Sequence, residues 1–180
     1  SALVLAIAHL VKEKYNFGLE ALFMPGHFTS SESYELSRKM CDQLGISMRN
    51  FPIKFLHQTI RHTYNDIYSS EMTGLADENI QSRLRGALLY ARSNAENSLV
   101  INTSNKSELA VGYSTIYGDS VGAFSILGDL YKTEVFTLSQ HLQDLIPQEI
   151  INRPPSAELR DNQKDEDSLP PYDRLDAIIE

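Results

Sequence analysis

The sequence predicts an α/β fold, a doubly wound parallel sheet with helices on both faces. Two observations lead to this prediction: short apolar runs alternate with longer segments of helical periodicity, and the apolar runs end in polar loops. No linker divides the 180 residues, so we expect one domain, 1–180. A doubly wound sheet normally begins with a strand and a turn, whereas this chain opens on a helix.

The first half of the chain predicts three helices separated by two strands. Thr29 and Glu32 have the spacing of a capping box at the start of the second helix, and Gly45 would end it. The predicted bounds are 1–15 for a buried helix, 19–24 for a strand, 29–44 for a helix, 46–53 for a strand and 55–68 for a helix.

The second half predicts two long helices, one very short strand and an irregular tail. The predicted bounds are 77–92 and 132–145 for the helices and 98–102 for the strand. In the first of these helices the expected core face consists of Ile80, Leu84, Ala87, Leu88 and Ala91. Residues 153–171 contain four prolines and many acids, so we expect a mobile lid that lies outside the core.

Composition excludes several classes of protein. The formal charge of −8 argues against nucleic-acid binding, which needs a basic surface. No stretch approaches the roughly 20 apolar residues that span a bilayer, so we expect no membrane association. Cys41 is the only cysteine, which rules out an internal disulfide and a cysteine-built zinc site. With no secretory signal, a cytoplasmic setting is expected.

Polar loops follow two of the predicted strands, at residues 24–30 and 102–108. Ligands bind at the carboxyl ends of strands in open parallel sheets. In the second loop, Ser104 would cap a helix and Glu108 would sit near its positive end, which is a purely structural interpretation. The glycines nearby favour a ligand site, because they allow close approach to the backbone: Gly112, Gly118 and Gly122.

Two further clusters are open to a structural or a functional interpretation. Asn79 and Arg83 share one helix face, which is either a solvated surface or part of a site. The acidic tail around Ser156 is either an exposed loop or a lid that orders when ligand binds.

Three stretches together resemble the synthetase domain of NAD synthetases, most closely the glutamine-dependent type. They are ENIQSRLRGALLYARSN (78–94), INTSNKSELAVGYSTIYGDSVGAFSILGDLYKTEVF (101–136) and RPPSAELRDNQKDEDSLPPYDRLD (153–176). The resemblance implies an adenine-nucleotide alpha-hydrolase-like (Rossmann-like) fold. It also places Ser1 at the end of the phosphate loop, with the first strand and most of that loop absent from these residues, so the chain alone is expected to be inactive.

The family's reaction implies ATP as co-substrate, Mg²⁺ as cofactor, and deamido-NAD and ammonia as partners. ATP adenylates the nicotinate carboxylate of deamido-NAD, and ammonia then displaces AMP to give NAD. The resemblance also implies a homodimer, with the 77–92 helix near the interface, and a glutaminase domain elsewhere in the full-length protein.

The family motifs carry roles onto ten positions, none of them as a covalent or acid–base catalyst. ATP contacts are expected at Ser1, Met24, Thr103, Lys132 and Ser156. Deamido-NAD contacts are expected at Asn79, Arg83, Glu108, Tyr113 and Asp119, and Glu108 is also the expected metal ligand.

The chain departs from the ammonia-only members, which carry a lysine and an aspartate where Ile116 and Ala123 stand here. This difference favours the glutamine-dependent branch. Two alternatives stay open: another ATP pyrophosphatase, such as a GMP-synthetase-like enzyme, or an inert nucleotide-binding or dimerisation fragment.

Overall fold

The computed structural model describes residues 2–180, so the phosphate-loop role expected for Ser1 lies outside the described residues. Helices and short parallel strands alternate along the chain, followed by a helical C-terminal part. The elements are α1 Ala2–Tyr15, β1 Glu20–Phe23, α2 Ser31–Gln43, β2 Ser47–Asn50, α3 Lys54–Tyr68, α4 Leu75–Glu96, β3 Ile101–Asn102, α5 Lys106–Ala110, β4 Phe124–Ser125, α6 Lys132–His141, α7 Gln148–Ile151 and α8 Tyr172–Ile179, with a 3-10 turn at Asp165–Asp167.

The strands form two separate pairs, and both pairs are parallel. β1 pairs with β2, placing Glu20 opposite Ser47, and β3 pairs with β4, placing Ile101 opposite Phe124. The parallel pairing expected from the alternating pattern is therefore confirmed, whereas within residues 2–180 no strand joins the two pairs into one sheet. Both polar loops, after β1 and after β3, start at the carboxyl end of a strand.

The core forms around α1, which is buried as its apolar sequence predicts. Leu3, Val4 and Ala6 pack against residues of α2 and of the segments that flank α6. The other fully buried members of this cluster are Met40, Leu44, Ile46, Leu127 and Ile146. Burial of side chains from both halves of the sequence makes α1 the element on which α2 and the C-terminal helices meet.

Two helix caps lie one residue later than the sequence suggests. Ser30, not Thr29, caps α2, because its Oγ accepts from Ser33 N at 3.1 Å, while Thr29 Oγ1 accepts from Gly26 N at 3.0 Å. Asn105, not Ser104, caps α5 and forms a capping box with Glu108. Ser104 precedes the cap, and its N–H donates to Asn102 Oδ1 at 2.8 Å.

The buried face of α4 also differs from the expected one. Gln81, Ser82 and Gly86 are its buried residues, whereas Ala87 and Ala91 are exposed. The reason is that the loop at residues 115–119 packs on the polar side of the helix: Asp119 N donates to Ser82 Oγ at 3.0 Å. The apolar stripe of α4 consequently stays partly open to solvent.

The C-terminal part is more ordered than its proline content suggests. α6 ends at His141 rather than Leu145, and α7 and α8 follow as separate short helices. Three residues of the 153–171 segment are buried, Leu159, Gln163 and Asp165, so the expectation that this segment lies wholly outside the core is wrong. None of the helices in residues 2–180 is both long and apolar enough to cross a membrane.

Candidate functional site

One cavity of about 420 Å³ collects most of the residues that the sequence singles out. Its walls are the loop after β3, the side of α6 and the 153–157 stretch, with the start of α1 at its base. Six of the ten predicted site residues line it: Thr103, Glu108, Tyr113, Asp119, Lys132 and Ser156. Asp165 and Arg153 line the same cavity, and neither was predicted from the sequence.

An ion pair between Glu108 and Lys132 forms one wall of the cavity. Lys132 Nζ lies 2.8 Å from Glu108 Oε1, and both side chains are largely shielded from water, at 15% and 17% exposure. The second carboxylate oxygen has a longer contact, 3.4 Å from Asn105 N. The ammonium group also lies over the ring of Tyr172, 5.1 Å from the ring centroid. A partly desolvated charge pair of this kind is sensitive to the arrival of another charge.

The elements that carry this pair are fixed to each other by Asp176 of α8. Asp176 Oδ2 accepts from Thr133 N at 2.9 Å, at the first turn of α6, and Asp176 Oδ1 accepts from the Ser107 hydroxyl of α5. Ser107 Oγ in turn accepts from Lys132 N at 2.8 Å. A buried carboxylate at a helix N-terminus is favourable because it faces unpaired N–H groups. Ser107 and Asp176 thereby set the spacing between α5 and α6.

Asp165 joins two tyrosines at the cavity edge. Its Oδ2 accepts from Tyr172 Oη at 2.8 Å and its Oδ1 accepts from Tyr113 Oη at 3.2 Å. Burial raises the pKa of Tyr113, and the neighbouring Asp165 raises it further. Burial likewise raises the pKa of Tyr172, with the hydrogen bond to Asp165 as the next cause. Both hydroxyls therefore stay protonated and act as donors at neutral pH.

Asn102, at the end of β3, organises the loop that forms much of the wall. Its Nδ2 donates to Asp119 O at 3.0 Å and to Val121 O at 3.1 Å. Its Oδ1 accepts from Ser104 N at 2.8 Å and from Ser125 Oγ at 2.9 Å. Since every hydrogen-bonding position of this buried amide is used, the loop at 103–125 is tied to the strand at one point.

Asp119 reaches the cavity from the turn that follows Gly118. Its Oδ1 accepts from Thr115 N at 2.6 Å, which closes the turn. Desolvation of the carboxyl group raises the pKa of Asp119, although much of the residue is exposed, and the hydrogen bond from Thr115 opposes that increase. The hydrogen bond from Thr115 therefore fixes the position of this carboxylate before any ligand binds.

Asn79 and Arg83 support this loop and do not line the cavity. Asn79 Oδ1 accepts from Thr115 Oγ1 at 2.8 Å, and Arg83 Nε donates to Ile116 O at 3.2 Å. Their position on α4 places them behind the wall that carries Tyr113 and Asp119. Their expected contact with deamido-NAD stays a prediction.

The glycines of this region pack against protein atoms, so the expectation that they give room to a ligand is wrong for two of them. A Cβ on Gly118 would lie 2.4 Å from Ser82 Oγ, and one on Gly122 would lie 2.5 Å from Asn102 N. Gly122 also has φ +154°, which other residues rarely adopt. Gly112 has open space around it and serves a turn.

Met24 lies apart from the cavity, in the loop after β1. Its carbonyl accepts from Arg85 Nε of α4 at 2.9 Å, which fixes the direction of the backbone at the carboxyl end of β1. The side chain of Arg85 was not singled out from the sequence. The expected adenine contact of Met24 stays a prediction.

The 153–171 segment is fastened at three places. Arg153 and Glu158 form a polar cluster with the start of α2, where Arg153 Nη2 lies 3.0 Å from Ser30 Oγ and 2.9 Å from Glu158 Oε1. Gln81 of α4, fully buried, donates to Leu159 O at 3.0 Å. Asp165 makes the third connection through the two tyrosines. Ser156 lies between Arg153 and Glu158 in the sequence and is exposed, with its hydroxyl accepting from Glu158 N at 3.1 Å.

The described residues supply only part of the ligand shell that a magnesium ion needs. Among the described residues, no group of three or more His, Cys, Asp or Glu side chains is arranged as metal ligands would be. Magnesium, however, is often held by one or two carboxylates while phosphates and water complete its shell. Glu108 suits that role, because one of its oxygens has only a long contact to the protein.

Comparison with known proteins identifies the family of the chain. A family model described as NAD synthase matches residues 1–180. The glutamine-dependent NAD(+) synthetase of Xanthomonas campestris is 44% identical over 99% of this chain, which covers 33% of that protein. The chain spans about a third of the length of the curated relatives it matches.

Two solved structures share the fold. An NMN synthetase from Francisella tularensis superimposes with a TM-score of 0.85 at 28% identity, covering 97% of this chain and 71% of that one. A glutamine-dependent NAD+ synthetase from Acinetobacter baumannii, in complex with adenosine diphosphate, has a TM-score of 0.78 at 36% identity, covering 99% of this chain and 32% of that one. The α/β fold class expected from the sequence is thus confirmed, and with the family match along its whole length, the chain belongs to the NAD synthase family.

Proposed function

We propose that the full-length protein containing this chain converts deamido-NAD to NAD, using ATP and ammonia, through an adenylated intermediate. The observation that carries the proposal is the single cavity in which residues expected for both nucleotides meet. Thr103, Lys132 and Ser156, the expected ATP contacts, line it together with Tyr113 and Asp119, which are expected contacts of deamido-NAD. A reaction between two nucleotides needs them side by side, and holding them so lowers the barrier.

The proposed reaction has two steps, adenylation of the nicotinate carboxylate and its amidation. A nicotinate carboxylate oxygen attacks the α-phosphorus of ATP and pyrophosphate leaves. Ammonia then adds to the activated carbonyl carbon, AMP leaves with its bridging oxygen, and a proton is lost from nitrogen. Because the reactants are anions, a fixed cation at Lys132 offsets charge that develops on the phosphates. Tyr113 offers a ring against which nicotinate can stack, with its hydroxyl anchored on Asp165.

Glu108 is the residue that would hold magnesium in this reaction. A bound magnesium ion would supply positive charge to the phosphate oxygens. The Glu108 carboxylate would then be shared between that ion and Lys132, which lies 2.8 Å away. Such sharing would release Lys132 towards the phosphates.

The segment 153–171 would act as the lid of this site. Its attachments to α2, to α4 and to Tyr113 are polar, and Arg153 and Asp165, which make the first and the third, line the cavity. The exposed contact between Arg153 and Ser30 is the one that can be exchanged for ligand contacts at small cost. Ser156, exposed between Arg153 and Glu158, would contact ATP once the lid closes.

A homodimer is also part of the proposal. The apolar stripe of α4 is left partly exposed, and large apolar side chains on its N-terminal residue and on α3 are exposed as well: Leu75 at 73%, Ile67 at 69% and Phe55 at 74%. Exposed apolar surface on neighbouring helices marks an interaction site. A glutaminase domain elsewhere in the full-length protein would supply the ammonia.

The test is pyrophosphate release by the purified full-length protein with deamido-NAD, ATP, magnesium and ammonium chloride, followed by detection of NAD. We expect release that depends on both nucleotides. A parallel assay replaces deamido-NAD with nicotinate mononucleotide, since one structural relative is an NMN synthetase. Turnover with the mononucleotide alone would contradict the proposed substrate, and no turnover with either would contradict the reaction.

A further inference from the structure

The ammonium group of Lys132 contacts one carboxylate and two aromatic rings. Its Nζ lies 2.8 Å from Glu108 Oε1, 5.1 Å from the centroid of the Tyr172 ring and 6.0 Å from that of Phe136. A lysine side chain has several rotatable bonds, so an ammonium group that loses its carboxylate partner is poorly fixed. If Glu108 turns towards a metal ion, the Tyr172 ring is the nearer of the two aromatic faces that remain to hold the ammonium in place.

The ring of Tyr172 is well suited to this task. The residue is only 7% exposed, and its ring meets that of Phe136 edge to face at a centroid distance of 6.5 Å. A buried aromatic face attracts a cation without carrying a charge of its own. It therefore holds Lys132 and does not compete for it with the phosphates of a ligand.

The direction of the ring is set by a hydrogen bond to Asp165. The Tyr172 hydroxyl donates to Asp165 Oδ2 at 2.8 Å, and Asp165 N donates to Pro155 O at 3.1 Å. Asp165 belongs to the 153–171 segment, whose proline-rich start lines the cavity beside Ser156. A shift of that segment would thus be passed to the ring and from the ring to Lys132.

We propose that Tyr172 is a positioning residue for Lys132: its ring holds the ammonium group in the cavity, and its hydroxyl ties the ring to Asp165. The inference rests on the proposed function, because it takes Lys132 as a contact of ATP. It adds a residue that acts through another one, at a distance from the reacting atoms.

The test measures binding of a non-hydrolysable ATP analogue to the full-length protein by calorimetry, with magnesium present. Tyr172→Leu, which removes ring and hydroxyl, should weaken binding about tenfold, and Tyr172→Phe, which keeps the ring, about threefold. In a Lys132→Met background, Tyr172→Leu should change the affinity by less than about twofold, because the partner of the ring is gone. In turnover assays the KM for ATP should rise more than the KM for deamido-NAD.

A matched control is available in Tyr15, which is 66% exposed and has Lys14 Nζ 5.0 Å from its ring centroid. Tyr15→Leu and Tyr15→Phe remove the same type of contact away from the cavity, and should leave analogue binding unchanged. Should Tyr172→Leu fail to fold, Tyr172→Phe still tests the link to Asp165.

The outcomes separate the two proposals. Unchanged analogue binding in the Tyr172 variants, or losses that simply add to that of Lys132→Met, would overturn the positioning role while pyrophosphate release by the wild type still supports the function. Coupled losses in a protein that releases no pyrophosphate with deamido-NAD would leave the positioning role standing and overturn the function. A wild type that does not bind the analogue would overturn both.

Discussion

Side chains of this site that are expected to contact ligand also stabilise the fold. Glu108 shows this most clearly, because it completes the capping box of α5 and pairs with Lys132 in the same conformation. Its backbone and side chain are therefore in place before any ligand is bound. Preorganisation of this kind lowers the cost of binding a charged ligand.

Glu108→Gln is expected to lower kcat about a hundredfold, because the neutral amide cannot hold magnesium or balance Lys132. The free energy of unfolding should fall by only about 1 kcal/mol, since an amide oxygen still accepts at the same place. Pyrophosphate release and urea denaturation of the full-length protein measure the two effects. The control is Glu71→Gln, an exposed carboxylate paired with Arg61. Wild-type turnover in Glu108→Gln would remove Glu108 from the site.

The sequence predicts these residues because their roles lie in local patterns. The loop after β3 carries Thr103 and Glu108 within six residues, and the fold brings Lys132 to them because α6 starts beside α5. Asp165 escapes sequence reasoning because Tyr113, one of its partners, lies 52 positions before it, and Tyr172 escapes it because its ring contacts Lys132 of another helix. Their one signal is that both stand in the stretch at 153–176 that resembles the family.

At the scale of elements, the meeting of α4 with the loop at 115–119 decides which side of the helix is buried. Helical periodicity points to the apolar stripe, but Gln81, Ser82 and Gly86 are buried instead. A prediction from helical periodicity assumes that the apolar side of a helix faces the core. That assumption fails for α4, whose polar side packs on a loop of the same chain and whose apolar side is proposed to face a second subunit. The bounds of α1, α2 and α3 lie within two residues of those that the sequence predicts.

Gly86→Ala tests the contact between α4 and the loop at 115–119. Its expected effect on stability is opposite in sign to that of most Gly→Ala changes within helices. In a helix interior this change normally stabilises by about 1 kcal/mol. Here a Cβ would lie 2.6 Å from Tyr117 O, so the variant should instead be destabilised, by about 2 kcal/mol. Urea denaturation measures the difference, and Gly18→Ala, which has open space around it, is the control. A stabilised Gly86→Ala would mean that the loop does not press on α4.

At the scale of the whole molecule, exposed apolar surface and the cavity lie on different elements. The cavity is lined by residues of α1, α5, α6, α7, the loop after β3 and the 153–171 segment, whereas the partly open apolar stripe belongs to α4. Asn79 and Arg83 lie on this same helix and contact the loop that carries Tyr113. A second subunit packed on α4 would consequently stabilise this loop, which carries residues expected to contact deamido-NAD.

Light scattering of the full-length protein should therefore report a dimer, which Ala87→Glu weakens at least about tenfold by placing a charge on the exposed stripe of α4. The matched control is Ala177→Glu on the exposed side of α8, which should leave the dimer intact. A monomeric wild type, or a dimer that tolerates Ala87→Glu, would contradict an interface at α4.

The bond between Ser107 and Asp176 has a consequence for how the protein is made. Two residues 69 positions apart hold α5 and α6 at their correct spacing. As the ribosome releases the chain from its N-terminus, Glu108 and Lys132 emerge well before the carboxylate that aligns them. Formation of a competent site therefore waits until α8 has left the ribosome. A polypeptide halted before Asp176 would contain most of the side chains expected to bind ligand, but it would lack the carboxylate that holds α5 and α6 in position.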